Sequence, residues 1–307
     1  MADESPDGAG PATDPLHVFE THRSLLFGVA YRMLGRVGDA EDAVQECWLR
    51  WSSADRAAVR EPRAYLVRVV SRLAVDRLRQ LAARRETYVG SWLPEPLPTD
   101  RAVASPATAP DGADHVVFTE TVSYAVLVVM ESLSPLERAV FVLREAFGLA
   151  HAEIADVLGR DEAAVRQLAV RARRHVAERR PRYTVDAAAQ RDLTERFLAA
   201  ALDGDLTGLL ACLAPDVTLV TDSGGIAQGP LRDITGADKV GRFLMGIAGK
   251  APTAAAYELV ALNGGFGLLV TSAGRPHSVF QLDIADGRAL RVLVLTNPEK
   301  TAHLAQG

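Results

Sequence analysis

The sequence predicts a multidomain protein in which two all-α units precede an α+β domain. Apolar residues recur at helical spacing over residues 15–85 and again over residues 116–182, whereas strand-like alternation dominates residues 186–307. A Pro-, Ala- and Thr-rich segment with neither period, residues 86–115, separates the two helical units. Three domains are consistent with a length of 307 residues.

Composition limits the class of protein and its compartment. The two cysteines, Cys47 and Cys212, lie too far apart for a metal-ligand spacing, and free thiols are typical of a reducing cytoplasm. We therefore predict no metal and no cofactor. Residues 1–14 are acidic and rich in Pro and Gly, lack the pattern of a signal peptide, and are interpreted as a disordered tail. No apolar run approaches the ~20 residues of a membrane span, so we expect a cytoplasmic protein with no membrane partner.

The first helical unit is interpreted as three helices. Gly35 ends the first helix, Asp39 caps the second ahead of "AEDAVQECWLRW", and Pro62 is the first residue of the third. Trp48 and Trp51 lie among apolar residues of the second helix. They are therefore interpreted as core residues rather than as platforms on which DNA bases stack.

The second helical unit contains a helix-turn-helix pattern. "SPLE" at residues 134–137 is a capping box, and two later helices are joined by a turn at Gly159. Apolar residues of the two helices would close a small core and leave the start of the second helix exposed. In this motif such exposed positions reach base edges in the major groove, while later arginines meet phosphate. The apolar set is Ile154, Leu158, Val165 and Leu168; the exposed set is Glu162, Ala163, Arg166 and Gln167; the later arginines include Arg171, Arg173 and Arg174.

Positive charge is concentrated in two helices. A net charge of −5 would argue against a nucleic-acid partner, but residues 61–85 and 162–182 each contain seven arginines. A solvated, Arg-rich surface is the alternative for either helix taken alone. Two such helices on separate units favour DNA binding. The candidates on the first of these helices are Arg63, Arg68, Arg72, Arg77 and Arg79.

The last part of the chain is typical of a separate α+β domain. A helix, "AAAQRDLTERFLAAL", precedes several strand-like runs. In "HSVFQLDI" the residues Phe280, Leu282 and Ile284 share one face of a strand, whereas Gln281 and Asp283 share the other. Gly-Gly pairs and "ADG" mark turns between strands.

Long stretches of the chain resemble extracytoplasmic-function sigma factors. "FETHRSLLFGVAYRMLGRVGDAEDAVQECWLRW" and "EPRAYLVRVVSRLAVDRLR" resemble domain two of that family, and "LSPLERAVFVLREAFGLAHAEIADVLGRDEAAVRQLAVRARRHV" resembles domain four. "WLPEPLP", "DSGG" and "NPEKTAHL" resemble motifs of the SigJ-like subgroup, in which a SnoaL-like domain is fused at the C-terminus. The last two depart slightly from the acidic-glycine turn and the "NPDKL" motif of that subgroup.

The resemblance implies two macromolecular partners, core RNA polymerase and promoter DNA. In the family the second helix docks on the clamp helices of the polymerase, and the loop 52–61 holds a flipped base of the minus-ten element. Arg68 and Arg72 would hold the opened single strand, and the helix beginning at Glu162 would read the minus-35 element. The subgroup is thought not to rely on a separate anti-sigma protein, so none is expected. The polymerase-binding candidates are Asp39, Asp42, Gln45 and Glu46.

A SnoaL-like domain implies the fold of ketosteroid isomerase, a curved sheet around helices that encloses a conical pocket. Enzymes of this fold place an Asp or a His in the pocket as a general base. The candidate bases here lie in no pattern that names a reaction, so regulation is favoured over catalysis. Two alternatives stay open: a small-molecule ligand in the cavity, and a helix-turn-helix regulator with a ligand-binding or enzymatic domain. The candidate bases are Asp216, Asp222, Asp238, Asp283 and His277.

The linker motif "SWLPEP" raises the question of what Trp92 contacts, because a solvated linker has no need of a large apolar side chain. A Pro-stiffened peptide loses little entropy on docking, so it can fill an apolar groove. We expect the motif to pack on or near the C-terminal domain and to fix how the two helical units face each other; a local apolar patch on those units is the alternative. Asp222 taken alone reads most simply as a turn residue. The residues expected at the interdomain contact are Trp92, Leu93, Pro94, Glu95, Pro96, Asp222, Gly224, Gly225, Asn297, Pro298, Glu299 and Lys300.

Overall fold

The computed structural model describes residues 14–85, 88–99, 123–179, 187–227, 229–250, 252 and 254–306. The predicted tail before Asp14, the linker beyond Thr99 and the predicted helical residues 116–122 lie outside this part of the chain. The helices in the described ranges are α1 (Pro15–Leu34), α2 (Val37–Ser52), α3 (Pro62–Arg85), α4 (Tyr124–Met130), α5 (Pro135–Phe141), α6 (His151–Leu158), α7 (Glu162–Arg179), α8 (Ala187–Asp203), α9 (Leu206–Cys212), α10 (Ala237–Ala248) and α11 (Pro298–Thr301). The strands are β1 (Leu213–Asp222), β2 (Ile234–Thr235), β3 (Ala255–Leu262), β4 (Gly265–Ser272), β5 (Arg275–Ala285) and β6 (Arg288–Leu295).

Helices α1, α2 and α3 form the first helical unit. Gly35 adopts the left-handed conformation (φ 73°) and ends α1, as expected of a residue without a Cβ atom. Helix α2 begins at Val37, so the prediction that Asp39 caps this helix is wrong. Asp39 lies in the first turn instead, where it is buried and its Oδ1 accepts hydrogen bonds from Nε and Nη2 of Arg77 at 3.0 and 2.7 Å. Asp39 thus forms an ion pair with a residue of α3 and does not cap α2.

The two tryptophans of α2 pack against α1 and α3. Trp51 is buried, donates its indole N–H to the Pro15 carbonyl at 2.9 Å, and has its ring centroid 5.8 Å from that of Tyr65. Trp48 is half-buried and packs on Phe19 with ring centroids 5.1 Å apart. The interpretation of both tryptophans as core residues is confirmed.

Helices α4 to α7 form the second helical unit. The capping box is present: Ser134 Oγ accepts from the Glu137 N–H at 3.3 Å, and Glu137 Oε2 accepts from the Ser134 N–H at 3.1 Å. Gly159 ends α6 with φ 62°, and α7 follows after a short turn. Of the predicted core of this helix pair, Ile154, Val165 and Leu168 are buried, and Leu158 is partly buried against the same cluster.

The C-terminal domain is a six-stranded sheet with the strand order β2-β1-β6-β5-β4-β3. Strands β1 and β6 pair in parallel, and the other neighbouring strands pair antiparallel. Helices α8, α9 and α10 pack on one face, where Phe197, Leu244, Leu282 and Val292 belong to one buried cluster. The sheet therefore has a helix-covered face of its own.

The opposite face of the sheet is covered by the rest of the chain. Leu269, Val279 and Leu293 on this face belong to the same buried cluster as the cores of both helical units. Gln281 and Asp283, the predicted polar face of β5, are consequently buried, and Asp283 accepts from Nε of Arg291 at 2.7 Å. The alternation of apolar and polar residues in β5 predicts one apolar and one polar face. It could not show that the polar face is also covered, here by the rest of the chain.

The two helical units are also joined directly. The buried Arg138 of α5 donates to the Arg32 carbonyl of α1 from Nε and Nη2 at 3.2 and 3.1 Å, and its Nη1 contacts Glu131 at 2.7 Å. Helix α3 packs between α1 and α2 on one side and α5 and α6 on the other. Across the described ranges, no helix combines the length and apolar character that crossing a membrane would need.

Candidate functional site

Residues 88–99, here called the strap, lie between the helical units and the C-terminal sheet. The five residues from Leu93 to Leu97 are all buried. Leu93 and Leu97 are 1% and 0% exposed and join the apolar cluster that spans the chain. Pro98 forms an isolated antiparallel bridge with Leu262 at the end of β3. The strap is therefore a structural element shared by three units, not a solvated linker.

On the C-terminal side, the strap is held by the carboxylate of Asp222. Oδ1 accepts from the Tyr88 hydroxyl at 2.6 Å, and Oδ2 accepts from the Leu93 N–H at 2.8 Å and from Lys300 Nζ at 2.7 Å. Lys300 Nζ also donates to the Leu93 carbonyl at 2.7 Å. Asn297 Nδ2 donates to the Tyr88 hydroxyl at 2.9 Å. We call this set, Tyr88, Trp92 and Leu93 with Asp222, Asn297 and Lys300, the linker lock.

Trp92 contacts residues of both the C-terminal domain and the first helical unit. Lys300 Nζ lies 3.2 Å from the centroid of the Trp92 ring, which places the ammonium on the indole face. The Tyr88 and Trp92 rings form a T-shaped contact with centroids 4.7 Å apart, and the Arg36 guanidinium carbon lies 6.0 Å from the Trp92 ring centroid. The indole thus lies between a cation of the C-terminal domain and a cation of the first helical unit.

The Asp222–Lys300 ion pair is buried on both sides, at 0% and 1% exposure. Burial lowers the pKa of Lys300 to about 8, although the neighbouring Asp222 carboxylate acts in the opposite direction. The interpretation of Asp222 as a turn residue is wrong: it is the last residue of β1, and the turn follows at residues 223–227. Removing one partner of such a buried ion pair strongly destabilises the folded protein, because the other charge is left buried and unpaired.

On the other side, Glu95 binds the strap to the first helical unit. Its carboxylate accepts from Arg36 Nε at 3.0 Å and from the Val37 N–H at 2.7 Å, where it completes the start of α2. Its backbone N–H donates to the Gly35 carbonyl at 2.8 Å, and its carbonyl accepts from the Tyr31 hydroxyl at 2.6 Å. Glu95 is thereby the helix cap that the sequence analysis had assigned to Asp39.

Further contacts tie the strap to all three units. The Tyr124 hydroxyl of α4 donates to the Pro94 carbonyl at 2.7 Å, so the second helical unit also contacts the strap. Asn263 is buried and exchanges two hydrogen bonds with Leu97, each 2.9 Å long, while its Nδ2 contacts the Tyr31 hydroxyl at 2.8 Å. His303 Nε2 lies 2.7 Å from the Pro96 carbonyl.

The glycine turn after β1 has a specific steric reason. Gly224 and Gly225 have φ values of 62° and 70°, and a Cβ atom at Gly224 would collide with the Asn297 side chain and approach the Tyr88 hydroxyl at 3.1 Å. Asn297 caps α11 by accepting from the Glu299 N–H at 3.0 Å, and Pro298 is the first residue of that helix. Glu299 itself is exposed.

The arginines of α3 are largely engaged within the chain. Arg72 donates from Nε to the Val157 carbonyl at 2.7 Å and from Nη2 to the Asp156 carbonyl at 2.8 Å, so it caps the end of α6 in the second helical unit. Arg68 forms an ion pair with the Asp156 side chain. Arg77 pairs with the buried Asp39, and Arg79 pairs with Asp76 of its own helix at 2.9 Å. Arg63 is exposed.

The arginines of α7 remain on the surface. Arg166, Arg171, Arg173 and Arg174 have side chains that are 55, 56, 49 and 68% exposed. Their carboxylate partners lie within the second helical unit: Glu162, Glu137, Glu145 and Glu178. Glu162, Ala163 and Gln167 are exposed as predicted, and Val170 beside them is 64% exposed, an apolar surface residue that the sequence analysis did not single out.

The predicted polymerase-binding face of α2 is exposed except at its first residue. Asp42 has a side chain that is 71% exposed, Gln45 is exposed, and Glu46 pairs with Arg50 at 2.7 Å while remaining 52% exposed. Asp39 does not share this surface because it is buried against Arg77.

A cavity of about 510 Å³ lies inside the C-terminal domain, between the helices and the sheet. Of the five candidate bases, only His277 is among the described residues that line it. Asp283 lies in the sheet beside Arg291, and burial raises the pKa of its carboxyl group. Asp222 belongs to the linker lock. The geometry therefore brings no carboxylate of the candidate set into the cavity.

Several residues of the lock were not found by sequence reasoning. Five residues contact the strap or the lock over separations of 59 to 207 positions in the chain: Tyr31, Arg36, Tyr88, Asn263 and His303. One local signal existed: Asn263 precedes Gly264 in a turn and has φ 50°, a conformation that Asn tolerates better than most residues. That signal identifies a turn, and its contact with the strap depends on the tertiary structure.

Exposed basic residues on two helical units, one of them a helix-turn-helix, define a DNA-binding transcription factor that can contact two sites. Residues 18–85 match the family Sigma-70 region 2, and residues 123–176 match Sigma-70, region 4. The chain is 40% identical over 294 residues to the ECF RNA polymerase sigma factor SigJ of Mycobacterium tuberculosis (strain ATCC 25618 / H37Rv), covering 92% of this chain and 91% of the relative. It is 37% identical over 235 residues to the probable ECF RNA polymerase sigma factor SigI of Mycobacterium tuberculosis (strain CDC 1551 / Oshkosh), covering 76% and 77%.

A solved structure gives the same result. The crystal structure of the Mycobacterium tuberculosis extracytoplasmic function sigma factor SigJ superposes with a TM-score of 0.71 and 36% identity, over 93% of this chain and 97% of that chain. The chain therefore belongs to the extracytoplasmic-function (ECF) RNA polymerase sigma factors. Core RNA polymerase and promoter DNA are the partners of this family, whose members are transcription factors rather than enzymes. The predicted fold class, two helical sigma domains followed by an α+β domain, is confirmed.

Proposed function

We propose that this sigma factor is regulated in cis: residues 186–307 hold the strap through the linker lock and so control access to promoter DNA. Promoter opening would use α3 with the loop 52–61, and α7 would read the minus-35 element. The proposed DNA contacts are Arg63, Arg68, Arg72, Arg79, Glu162, Ala163, Arg166, Gln167, Arg171, Arg173 and Arg174. The proposed polymerase contacts are Asp42, Gln45 and Glu46.

Two of the predicted contacts receive a different role in this proposal. Asp39 is buried and its carboxylate is bonded to Arg77, so neither side chain can contact a partner without breaking this ion pair. We assign this pair to holding α2 against α3. The proposed polymerase-binding surface then begins at Asp42, and the proposed DNA-binding surface of α3 consists of Arg63, Arg68, Arg72 and Arg79 without Arg77.

The observation that carries the proposal is that the strap is bound from both sides at once. Glu95 and Leu97 are bonded to residues of the first helical unit and the C-terminal domain, while Leu93 is bonded to Asp222 and Lys300. A domain that grips the peptide joining two DNA-binding units sets their separation. Because promoter recognition needs both units at a fixed distance along the duplex, this grip can switch the protein.

The contacts of α3 support an inhibitory sign for the closed arrangement. Arg68 and Arg72 contact α6 of the other helical unit, so single-stranded DNA would have to displace those contacts in order to bind. We therefore propose that the closed arrangement is the inactive one and that opening the lock frees α3. A domain built into the chain would then do the work of a separate anti-sigma protein, in the cytoplasm where the polymerase acts.

Reconstituted transcription tests this function. Core polymerase is combined with the full chain on a library of randomised promoters, and the RNA products are sequenced. Asp222→Asn and Trp92→Ala should start at the same promoters as the unaltered chain and yield at least about fivefold more RNA, because the closed state is depopulated. Asp233→Asn is the matched control, since this exposed carboxylate contacts the strap only through Ser91 at 2.9 Å.

Two results would contradict different parts of the proposal. Absence of any promoter-directed RNA would contradict sigma activity, whereas equal RNA from all four proteins would contradict control by the lock. A chain that ends near residue 183 should start at the same promoters without any added small molecule. A helix-turn-helix regulator, by contrast, would bind duplex DNA without polymerase.

A further inference from the structure

The cavity in the C-terminal domain has the size of a small-molecule site. Its volume of about 510 Å³ lies within the range of about 300–1,000 Å³ that is usual for such sites. Its walls are apolar side chains of α8, α10 and the sheet, among them Phe197, Phe243, Ile247, Leu268 and Phe280. Such walls suit the apolar body of a ligand.

The polar groups of the cavity have one sign of charge. Lys250 and His277 are the only titratable cations among the described lining residues, and both are exposed, which places them at the mouth. No Asp or Glu occurs among the described lining residues. Tyr257 and Ser278, which carry hydroxyl groups, are also among the described lining residues. An apolar interior with cations at the opening is complementary to a molecule that has an apolar body and an anionic end.

The cavity and the linker lock share two strand ends. Thr221 lines the cavity, and the next residue of β1 is Asp222 of the lock. Thr296 also lines the cavity, and its N–H donates to the Asp222 carbonyl at 2.9 Å. Asn297, the next residue, donates to the same carbonyl at 3.1 Å. Anything that fills the cavity therefore packs against residues that are adjacent to the carboxylate holding the strap.

We propose that this cavity binds a small monocarboxylic acid with an apolar body, and that filling the cavity stabilises the linker lock. The inference rests on the proposed cis regulation, to which it adds the chemical class of an effector. The carboxylate would lie at the mouth near Lys250 and His277, and the body would pack between α8, α10 and the sheet. A bound acid would thus keep the sigma factor closed, and its loss would favour opening.

Binding is tested on the full chain by isothermal titration calorimetry with dodecanoate, and with 1-dodecanol as the matched neutral probe. Dodecanoate should bind at one saturable site and at least about fivefold more tightly than 1-dodecanol, given two partly solvated cations at the mouth. Ala248→Phe, which fills the cavity, should weaken dodecanoate binding at least about tenfold. Lys250→Gln should weaken it about threefold, whereas Lys239→Gln, in the first turn of α10 and outside the cavity lining, should leave it unchanged.

The outcomes separate the site from an unspecific hydrophobic surface. Equal affinities for the two probes would overturn the anionic class, and unaltered binding by Ala248→Phe would overturn the site itself. Should Ala248→Phe fail to fold, the double variant Lys250→Gln/His277→Gln decides, because it leaves the interior intact and should abolish the preference for dodecanoate over 1-dodecanol.

Coupling to the lock is measured at Lys300. The chain contains only three lysines, Lys239, Lys250 and Lys300, so acylation by an amine reagent can be followed at each by mass spectrometry. Saturating dodecanoate should slow acylation of the buried Lys300 at least about threefold and leave the exposed Lys239 unchanged. An unchanged or faster reaction at Lys300 would overturn the coupling. Either failure would leave promoter-directed transcription and its response to Asp222→Asn intact, so failure here is distinguishable from failure of the proposed cis regulation.

Discussion

The two arginine-rich helices have similar arginine content, but their arginines bond to different parts of the molecule. In α3, Arg72 and Arg68 reach across to α6 of the other helical unit, where they bond to the carbonyls of Asp156 and Val157 and to the Asp156 carboxylate. In α7, the arginines pair with carboxylates of their own unit and stay half-exposed or more. The closed arrangement thus engages Arg68 and Arg72 of the helix proposed to hold the opened strand with the other helical unit, whereas the arginines of the minus-35-reading helix are bonded, among the described residues, only within their own unit.

This difference teaches that charge pattern predicts what a helix can bind, and tertiary contacts decide when it can bind. Both helices would attract DNA phosphate equally by composition. Only α3 must first exchange its intramolecular partners. A sigma factor arranged in this way could be controlled at one of its two DNA contacts by a domain that holds the strap.

The largest expected effect comes from breaking the lock at Asp222. Asp222→Asn removes the counter-charge of a lysine that is 1% exposed, so the free energy of unfolding should fall by about 3 kcal/mol. Asp233→Asn, at an exposed strap contact, should change it by less than about 0.5 kcal/mol. Urea denaturation followed by circular dichroism measures both. Equal effects would show that the buried pair does not hold the strap.

The next effect is a pH dependence due to Lys300. Its pKa is lowered to about 8 by burial, whereas an exposed lysine titrates near 10.5. Between these pH values Lys300 has released its proton in the folded chain but still holds it in the unfolded chain. The free energy of unfolding should therefore increase as the pH rises from 8 to 10.5. The slope contributed is at most about 1.4 kcal/mol per pH unit.

The control for this pH effect is Lys300→Met, which keeps an apolar stem and cannot titrate. Burial raises the pKa of the Cys47 thiol to about 12 and also raises the pKa of Tyr88, and both shifts act in the opposite direction with rising pH. The quantity to compare is therefore the difference between the unaltered chain and Lys300→Met in urea denaturation at several pH values. If the difference in free energy of unfolding between the two proteins did not change from pH 8 to pH 10.5, the lowered pKa of Lys300 would be contradicted.

A smaller effect distinguishes α3 from α7 directly. Arg72→Ala should cost about 1–2 kcal/mol of stability, because two hydrogen bonds to α6 carbonyls are lost, whereas Arg174→Ala should cost less than about 0.5 kcal/mol. For promoter binding by the holoenzyme, the penalty of Arg72→Ala should be larger in the Asp222→Asn background than in the unaltered chain. The penalty of Arg174→Ala should be the same in both, since α7 is already exposed. Equal penalties for Arg72→Ala in the two backgrounds would contradict the idea that the bonds of Arg72 to α6 compete with DNA in the closed state.

The smallest expected effect is at the partner of Arg68. Asp156→Asn should cost about 0.5 kcal/mol, because both side chains of this ion pair are roughly half-exposed, and it should raise promoter binding about twofold by releasing Arg68. Asp192→Asn removes the same charge from a comparably exposed pair with Arg196 that lies wholly within α8 of the C-terminal domain. It should leave promoter binding unchanged, as measured by fluorescence anisotropy of labelled promoter DNA bound to the holoenzyme.

The sequence predicted those features that local rules determine. Gly35, Pro62, Ser134 and Gly159 mark helix ends where the structure has them, because caps and turns depend on neighbouring residues. The start of α2 was missed because its cap is Glu95, which lies 58 positions away in the chain. No local pattern could contain that information.

The site shows the same limit. The linker motif and the residues around Asp222 and Lys300 were expected to meet, and in the structure they do meet. The residues that complete the contact were not predicted: Tyr31, Arg36, Tyr88, Asn263 and His303. Asp222 looked like a turn residue because turns are rich in Asp, and its burial becomes visible only once the strap lies over the sheet. The bonds of Arg68 and Arg72 to α6 likewise depend on how the two helical units pack together, which no local pattern contains.

The central claim, that the linker lock is closed in the free sigma factor and opens when the polymerase engages promoter DNA, is tested most directly by acylation of Lys300. In the free chain Lys300 should react at least about tenfold more slowly than the exposed Lys239 and Lys250. In the open complex with core polymerase and promoter DNA, its rate should rise toward theirs. Full protection of Lys300 in an open complex that makes RNA would contradict the account.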